Sequence, residues 1–94
     1  PGDALTPRTP GERIAEIEQR LRSSLAPEIL EITDESGLHA GHAGARDGRG
    51  HYHVRIASVR FNGLSNLARH RLIYESLGDL FTTDIHAVRI SIDA

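Results

Sequence analysis

The chain has 94 residues, no cysteine and a formal net charge of -2, and all its basic residues are arginine. That length gives one domain with one small core, and the lack of thiols excludes disulfides, cysteine-bound zinc and an iron-sulfur cluster held by this chain's own sulfur. The charge balance speaks against a strong sequence-independent phosphate-binding surface, and no apolar run approaches the roughly 20 residues of a membrane span, so a soluble cytoplasmic protein is expected.

Residues 1–10 include Pro1, Pro7 and Pro10 and lack apolar periodicity, which predicts a disordered leader or an expression remnant outside the domain of residues 11–94. From Gly11 the pattern changes. Ile14, Ile17, Leu21 and Leu25 recur at helical spacing, with charged residues on the other faces, and Pro27 disfavours helix at Ala26. Ile29, Leu30 and Ile32 read as a short strand that closes at Asp34-Glu35-Ser36, a solvated strand end by composition. Gly37 to Gly50 is a long glycine-rich loop, a class of segment that is usually functional or disordered.

His51 to Phe61 reads as a second strand, with Tyr52, Val54 and Ile56 on one side and His53, Arg55 and Ala57 on the other. Asn62-Gly63 supplies a turn, and Ser65 caps a second helix predicted to run to about Phe81 with a buried stripe of His70, Ile73, Tyr74, Leu77, Leu80 and Phe81. Thr82 to Asp84 breaks that helix. Val88, Ile90 and Ile92 then alternate as a last strand, with His86 expected on its apolar face in phase with Val88. The order is α-β-β-α-β, an α+β fold with a three-stranded mixed sheet. Strands one and two pair antiparallel, strands two and three parallel through a right-handed crossover, and both helices lie on one face.

Six histidines are the chemically prominent residues, since imidazole both titrates near neutrality and ligates borderline metals. The topology gathers the loop, the start of strand two and the start of strand three at one end of the sheet, so His39, His42, His51 and His86 can converge there. His70 lies about 15 Å back along its helix at 1.5 Å per residue, and His53 is expected exposed on the Arg55 face. Two or three imidazoles on a rim, some of them on a loop costly to order, make an incomplete metal site that something else must complete. The glycine-rich loop matches no Walker sequence and leads into a strand, and no serine sits in an elbow context, so neither a phosphate cradle nor nucleophilic catalysis is expected.

Several segments taken together resemble the BolA family: Leu30-Glu31-Ile32 leading to Asp34-Glu35-Ser36 with His39, His51-Tyr52-His53-Val54, Phe61-Asn62-Gly63-Leu64-Ser65, Arg69-His70-Arg71-Leu72-Ile73-Tyr74, and Ile85-His86-Ala87-Val88. The resemblance runs in order from about Ile14 to Ile92. It implies a fold akin to the class II KH domain and a non-enzymatic adaptor that pairs with a monothiol glutaredoxin. It also implies a shared [2Fe-2S] cluster, with thiolates from the glutaredoxin and bound glutathione and histidines from this chain, in iron-sulfur trafficking or iron and redox regulation. Its first ligand maps onto His86. Its second comes from the loop between strands one and two, where His39 matches best and His51 is a plausible substitute, the extra His42 leaving the choice open. No cofactor is expected in the isolated chain, whose apo form can self-associate as a homodimer. An alternative reading is a DNA- or RNA-binding transcriptional regulator using Arg55, Arg60, Arg69 and Arg71; a self-contained zinc or copper site lacks a carboxylate or thiol at ligand spacing.

Overall fold

The computed structural model describes residues 8–36 and 49–93. Helix α1 spans Pro10–Leu25 and starts on a capping box: the Thr9 hydroxyl accepts the Glu12 N–H at 3.2 Å, and the Glu12 carboxylate accepts the Thr9 N–H at 2.8 Å. That bond to the Thr9 backbone holds the Glu12 carboxyl below its ordinary range. Pro10 suits the first helical position, where a missing N–H costs nothing. Helix α1 thus begins before the boundary at Gly11 drawn from proline content, and residues 1–7 of the expected leader lie outside the described residues. Ile17, Leu21 and Leu25, one turn apart, are the buried stripe of α1, which ends at Ala26 in a left-handed conformation (φ 43°) ahead of Pro27.

Strand β1, Ile29–Asp34, pairs antiparallel with β2, Gly50–Ala57, with Ile32 opposite Val54. β2 is central and pairs parallel with β3, Ile85–Ile92, with Val54 beside Ile90. Its burial alternates without a break: Tyr52, Val54 and Ile56 are sealed under the helices, while His51, His53, Arg55 and Ala57 face the other side. Every element of the predicted α-β-β-α-β order and mixed sheet is present. The strand read as continuing to Phe61 stops at Ala57, because the Ser58 hydroxyl accepts the Arg60 N–H and starts a one-turn 3-10 helix over Val59–Phe61.

The second predicted helix is two helices. α2 covers Asn66–Leu77, capped by the Ser65 hydroxyl on the Ala68 N–H, and a short α3 covers Leu80–Thr83. Between them Gly78 adopts φ 49°, ψ -120°, a conformation that a side chain resists. Arg20 of α1 closes this break by donating to the Leu77 carbonyl at 3.1 Å and to the Asp79 carboxylate, which holds the Asp79 carboxyl below its usual range. The buried stripe is narrower than predicted: Ile73, Leu77 and Leu80 are buried, His70 and Phe81 are half-buried, and Tyr74 is 44% exposed with its ring on that of Phe81.

Candidate functional site

The Asp34-Glu35-Ser36 segment is a clamp on His51. The Asp34 carboxylate accepts the Ser36 N–H at 2.8 Å, the Ser36 hydroxyl accepts the His51 N–H at 3.1 Å, and the His51 carbonyl accepts the Glu35 N–H at 2.7 Å. The Glu35 carboxylate is also taken, by Arg89 of β3 at 2.7 Å, which raises the Arg89 pKa above its ordinary value. His51 is therefore held through its main chain on both sides, and the Nε2 of its ring is buried from solvent. Read from sequence as a solvated strand end, this segment is a positioning device.

His86 reaches the same rim by an irregularity. Gly50 pairs with Ile85 and His51 pairs with Ala87, so one step along β2 spans two along β3 and His86 is the extra residue of a bulge. Bulges re-aim side chains in this way. The expectation that His86 lies on the apolar face in phase with Val88 is therefore corrected: Ile85 is buried, Val88 packs on the core, and His86 is exposed. Its ring lies against that of His51, with centroids 5.0 Å apart and planes tilted by 47°.

Two residues without an assigned role from sequence organise the rim. Asp84, 2% exposed, accepts hydrogen bonds from Arg8 at 2.8 Å and from the Thr83 hydroxyl on its carboxylate, Arg13 lies 3.5 Å away as an ion pair, and the Asp84 carbonyl accepts the Gly50 N–H. Arg49 donates to the Phe81 carbonyl at 2.8 Å and to Nδ1 of His86 at 3.2 Å. Arg13, Asp34, Arg49, His51 and Tyr52 also line a cavity of about 210 Å³.

The other candidates separate. His39 and His42 lie outside the described residues. His53, expected exposed, is half-buried and shares a 2.7 Å hydrogen bond with Ser91 on the helix-free sheet face. His70 donates from Nδ1 to the Asn66 carbonyl one turn earlier at 2.9 Å, a local structural bond. Arg55 does not join a basic patch with the α2 arginines: it lies on the helix-free face, bound by Asp93 at 2.6 Å and Glu31 at 3.3 Å, which raise its pKa. Arg69 is tied by Nε to the Phe61 carbonyl at 3.1 Å, while Arg60 and Arg71 are exposed.

As a donor set, two neighbouring imidazoles on adjacent strand starts, with ring centroids 5.0 Å apart, match half of a four-ligand shell. No group of three His, Cys, Asp or Glu able to hold a metal occurs among the described residues. The residues fit a site completed from outside. No helix among the described residues is long and apolar enough to cross a membrane.

The model of the BolA family, described as BolA-like protein, matches residues 21–94. Mouse BolA-like protein 1 is 42% identical over 76 residues, covering 81% of this chain and 53% of the mouse protein. SufE-like protein 1 of Arabidopsis thaliana is 42% identical over 85 residues, 85% of this chain but 23% of that protein, so the chain spans about half of the first relative and under a quarter of the second. The DNA-binding transcriptional regulator BolA of Escherichia coli is 39% identical over 74 residues, 79% of this chain and 68% of its own. Among solved structures, the BolA domain of SufE1 from A. thaliana superposes with a TM-score of 0.77 at 38% identity, covering 90% of this chain and 94% of that domain. Family match, sequence relatives and fold agree, and the chain belongs to the BolA family.

Proposed function

We propose that this chain is a non-enzymatic adaptor that pairs with a monothiol glutaredoxin and contributes His86 and one further histidine to a shared [2Fe-2S] cluster. The observation that supports the reading is the His51–His86 pair, a half-shell of donors set at one rim by a main-chain clamp and a bulge. A cysteine-free chain must leave the thiolates to the partner and its glutathione. Such a cluster supplies one-electron chemistry, and imidazoles in place of thiolates raise its potential.

This chain's own contribution is placement. β2 and β3 both pack on the core, so two ring positions are preset before a partner arrives, and the cavity beside His51 leaves room for a group of the partner. Among the described residues, His51 is the histidine whose ring lies against that of His86. Mixing the chain with glutaredoxin, glutathione and cluster is expected to give a heterodimer whose visible spectrum changes, and His86→Ala to abolish the change. An unaltered spectrum in His86→Ala sinks the reading; single His39→Ala, His42→Ala and His51→Ala variants identify the second ligand.

A second reading, nucleic-acid binding, is favoured by the name of the E. coli relative, a DNA-binding transcriptional regulator. On this chain it rests on Arg60, Arg69 and Arg71 without Arg55, a small cationic surface around the start of α2. Gel shifts across a salt series test it. Binding that weakens steeply with salt and is lost in Arg60→Ala/Arg71→Ala supports phosphate contacts, and salt-insensitive or absent binding refutes them.

A further inference from the structure

We propose that Arg49 is a placeholder at His86: it occupies a lone pair of the imidazole and must be displaced before either ring nitrogen can hold a metal. The inference rests on the reading of His86 as a ligand and concerns how that ligand is kept in reserve.

A guanidinium has five N–H donors and no acceptor. The 3.2 Å contact between its terminal nitrogen and Nδ1 of His86 therefore has one direction, with Arg49 donating and Nδ1 accepting. The neutral ring then carries its proton on Nε2. A metal on Nδ1 competes with Arg49 for the same lone pair. A metal on Nε2 requires a neutral ring to move its proton to Nδ1, which sets donor against donor at the Arg49 contact. Both routes eject the guanidinium, and both set its positive charge against an incoming cation.

The placeholder is itself anchored. The other terminal nitrogen of Arg49 donates to the Phe81 carbonyl at 2.8 Å, in the short helix that precedes β3, so the guanidinium stays beside His86. The isolated chain is thereby guarded against stray divalent cations on a histidine that its bulge leaves exposed. Partner docking, which brings ligands for the remaining positions, supplies the gain needed to move Arg49 aside.

The probe is Zn²⁺ alone, titrated calorimetrically into wild type, Arg49→Leu, His86→Ala and the double variant, so that the remaining histidines cancel in the cycle. Because the contact is solvent-exposed, Arg49→Leu is expected to tighten zinc binding roughly three- to tenfold, with the gain absent in the His86→Ala background. Unchanged or weaker binding in Arg49→Leu, or a gain that persists without His86, overturns the proposal. Nitrogen-15 imidazole spectra of the wild-type protein give an independent check that needs no variant to fold: a neutral His86 protonated on Nε2 is expected, and one protonated on Nδ1 refutes the donor assignment. Neither measurement uses glutaredoxin, so failure of the adaptor reading shows separately, in the heterodimer spectrum.

Discussion

The main-chain carbonyl of Asp84 accepts the Gly50 N–H at 2.9 Å, joining the residue just before β3 to the first residue of β2. His86 lies two positions after one partner and His51 one position after the other. The separation of the two rings is thus set by a main-chain bond whose carboxylate side is buried under α1.

Asp84→Asn keeps that main-chain bond and the side-chain size but removes the charge shared by Arg8 and Arg13. Leaving the largely buried Arg13 without a carboxylate is expected to cost about 2–4 kcal/mol, read as a lower urea midpoint at unchanged slope. A loss of less than about 0.5 kcal/mol, the level of ordinary surface changes, would show the network to be incidental.

Gly50→Ala tests how closely the rim is packed. A Cβ there would meet the Tyr52 hydroxyl at 2.5 Å and ring carbons at 2.7 Å, so the buried Tyr52 ring or the strand must shift. Overpacking of this kind is expected to cost about 1–3 kcal/mol. The start of β2 should also move, so amide shifts around His51 are expected to change; a variant as stable as wild type with His51 unshifted would contradict the geometry.

Gly78→Ala addresses the joint between α2 and α3. Its Cβ would come no closer than 3.6 Å to the Glu75 carbonyl, so the penalty comes from the backbone conformation at φ 49° rather than from a clash. About 1–2 kcal/mol of destabilisation is expected, measured by thermal unfolding, whereas a rise in midpoint would mean that the joint tolerates an ordinary helical residue.

Tyr52 gives a pH signature. Burial pushes its phenol up, the Asp34 charge adds to this, and Arg13 opposes it. A folded-state pKa above the unfolded one means that this contribution to stability is fully present below the ordinary value of about 10 and is lost as pH rises through the raised one. Tyr74→Phe leaves Tyr52 the sole tyrosine of the two in the chain. Its phenolate absorbance is then expected to appear above the ordinary range, together with alkaline unfolding; a transition at the ordinary value in folded protein would disprove the shift.

Element order, strand pairing and the meeting of His51 with His86 were legible because they follow from alternation and topology alone. The bulge was not, since alternation read from Val88 back to His86 presumes an unbroken strand, and only the pairing with β2 reveals the extra residue. Arg49, Gly50 and Asp84 act through contacts distant in sequence, which no local pattern reports, and a residue such as Asp84 in a helix-breaking run reads as solvated although it is sealed under α1. The start of α1 is different. Thr9-Pro10-Gly11-Glu12 carries the capping-box spacing and a proline at the first helical position, a signal present in the sequence and outweighed by proline content.

The bulge also separates two histories for this strand. Because His86 stands outside the alternation that serves the core, the side chain at this position can change without altering any buried contact of Ile85, Val88 or Ile90. On the proposed reading of His86 as a ligand, selection on ligation and selection on folding act on different residues of one strand, and a chain that lost this histidine would keep its fold and be silent only where its chemistry is asked for.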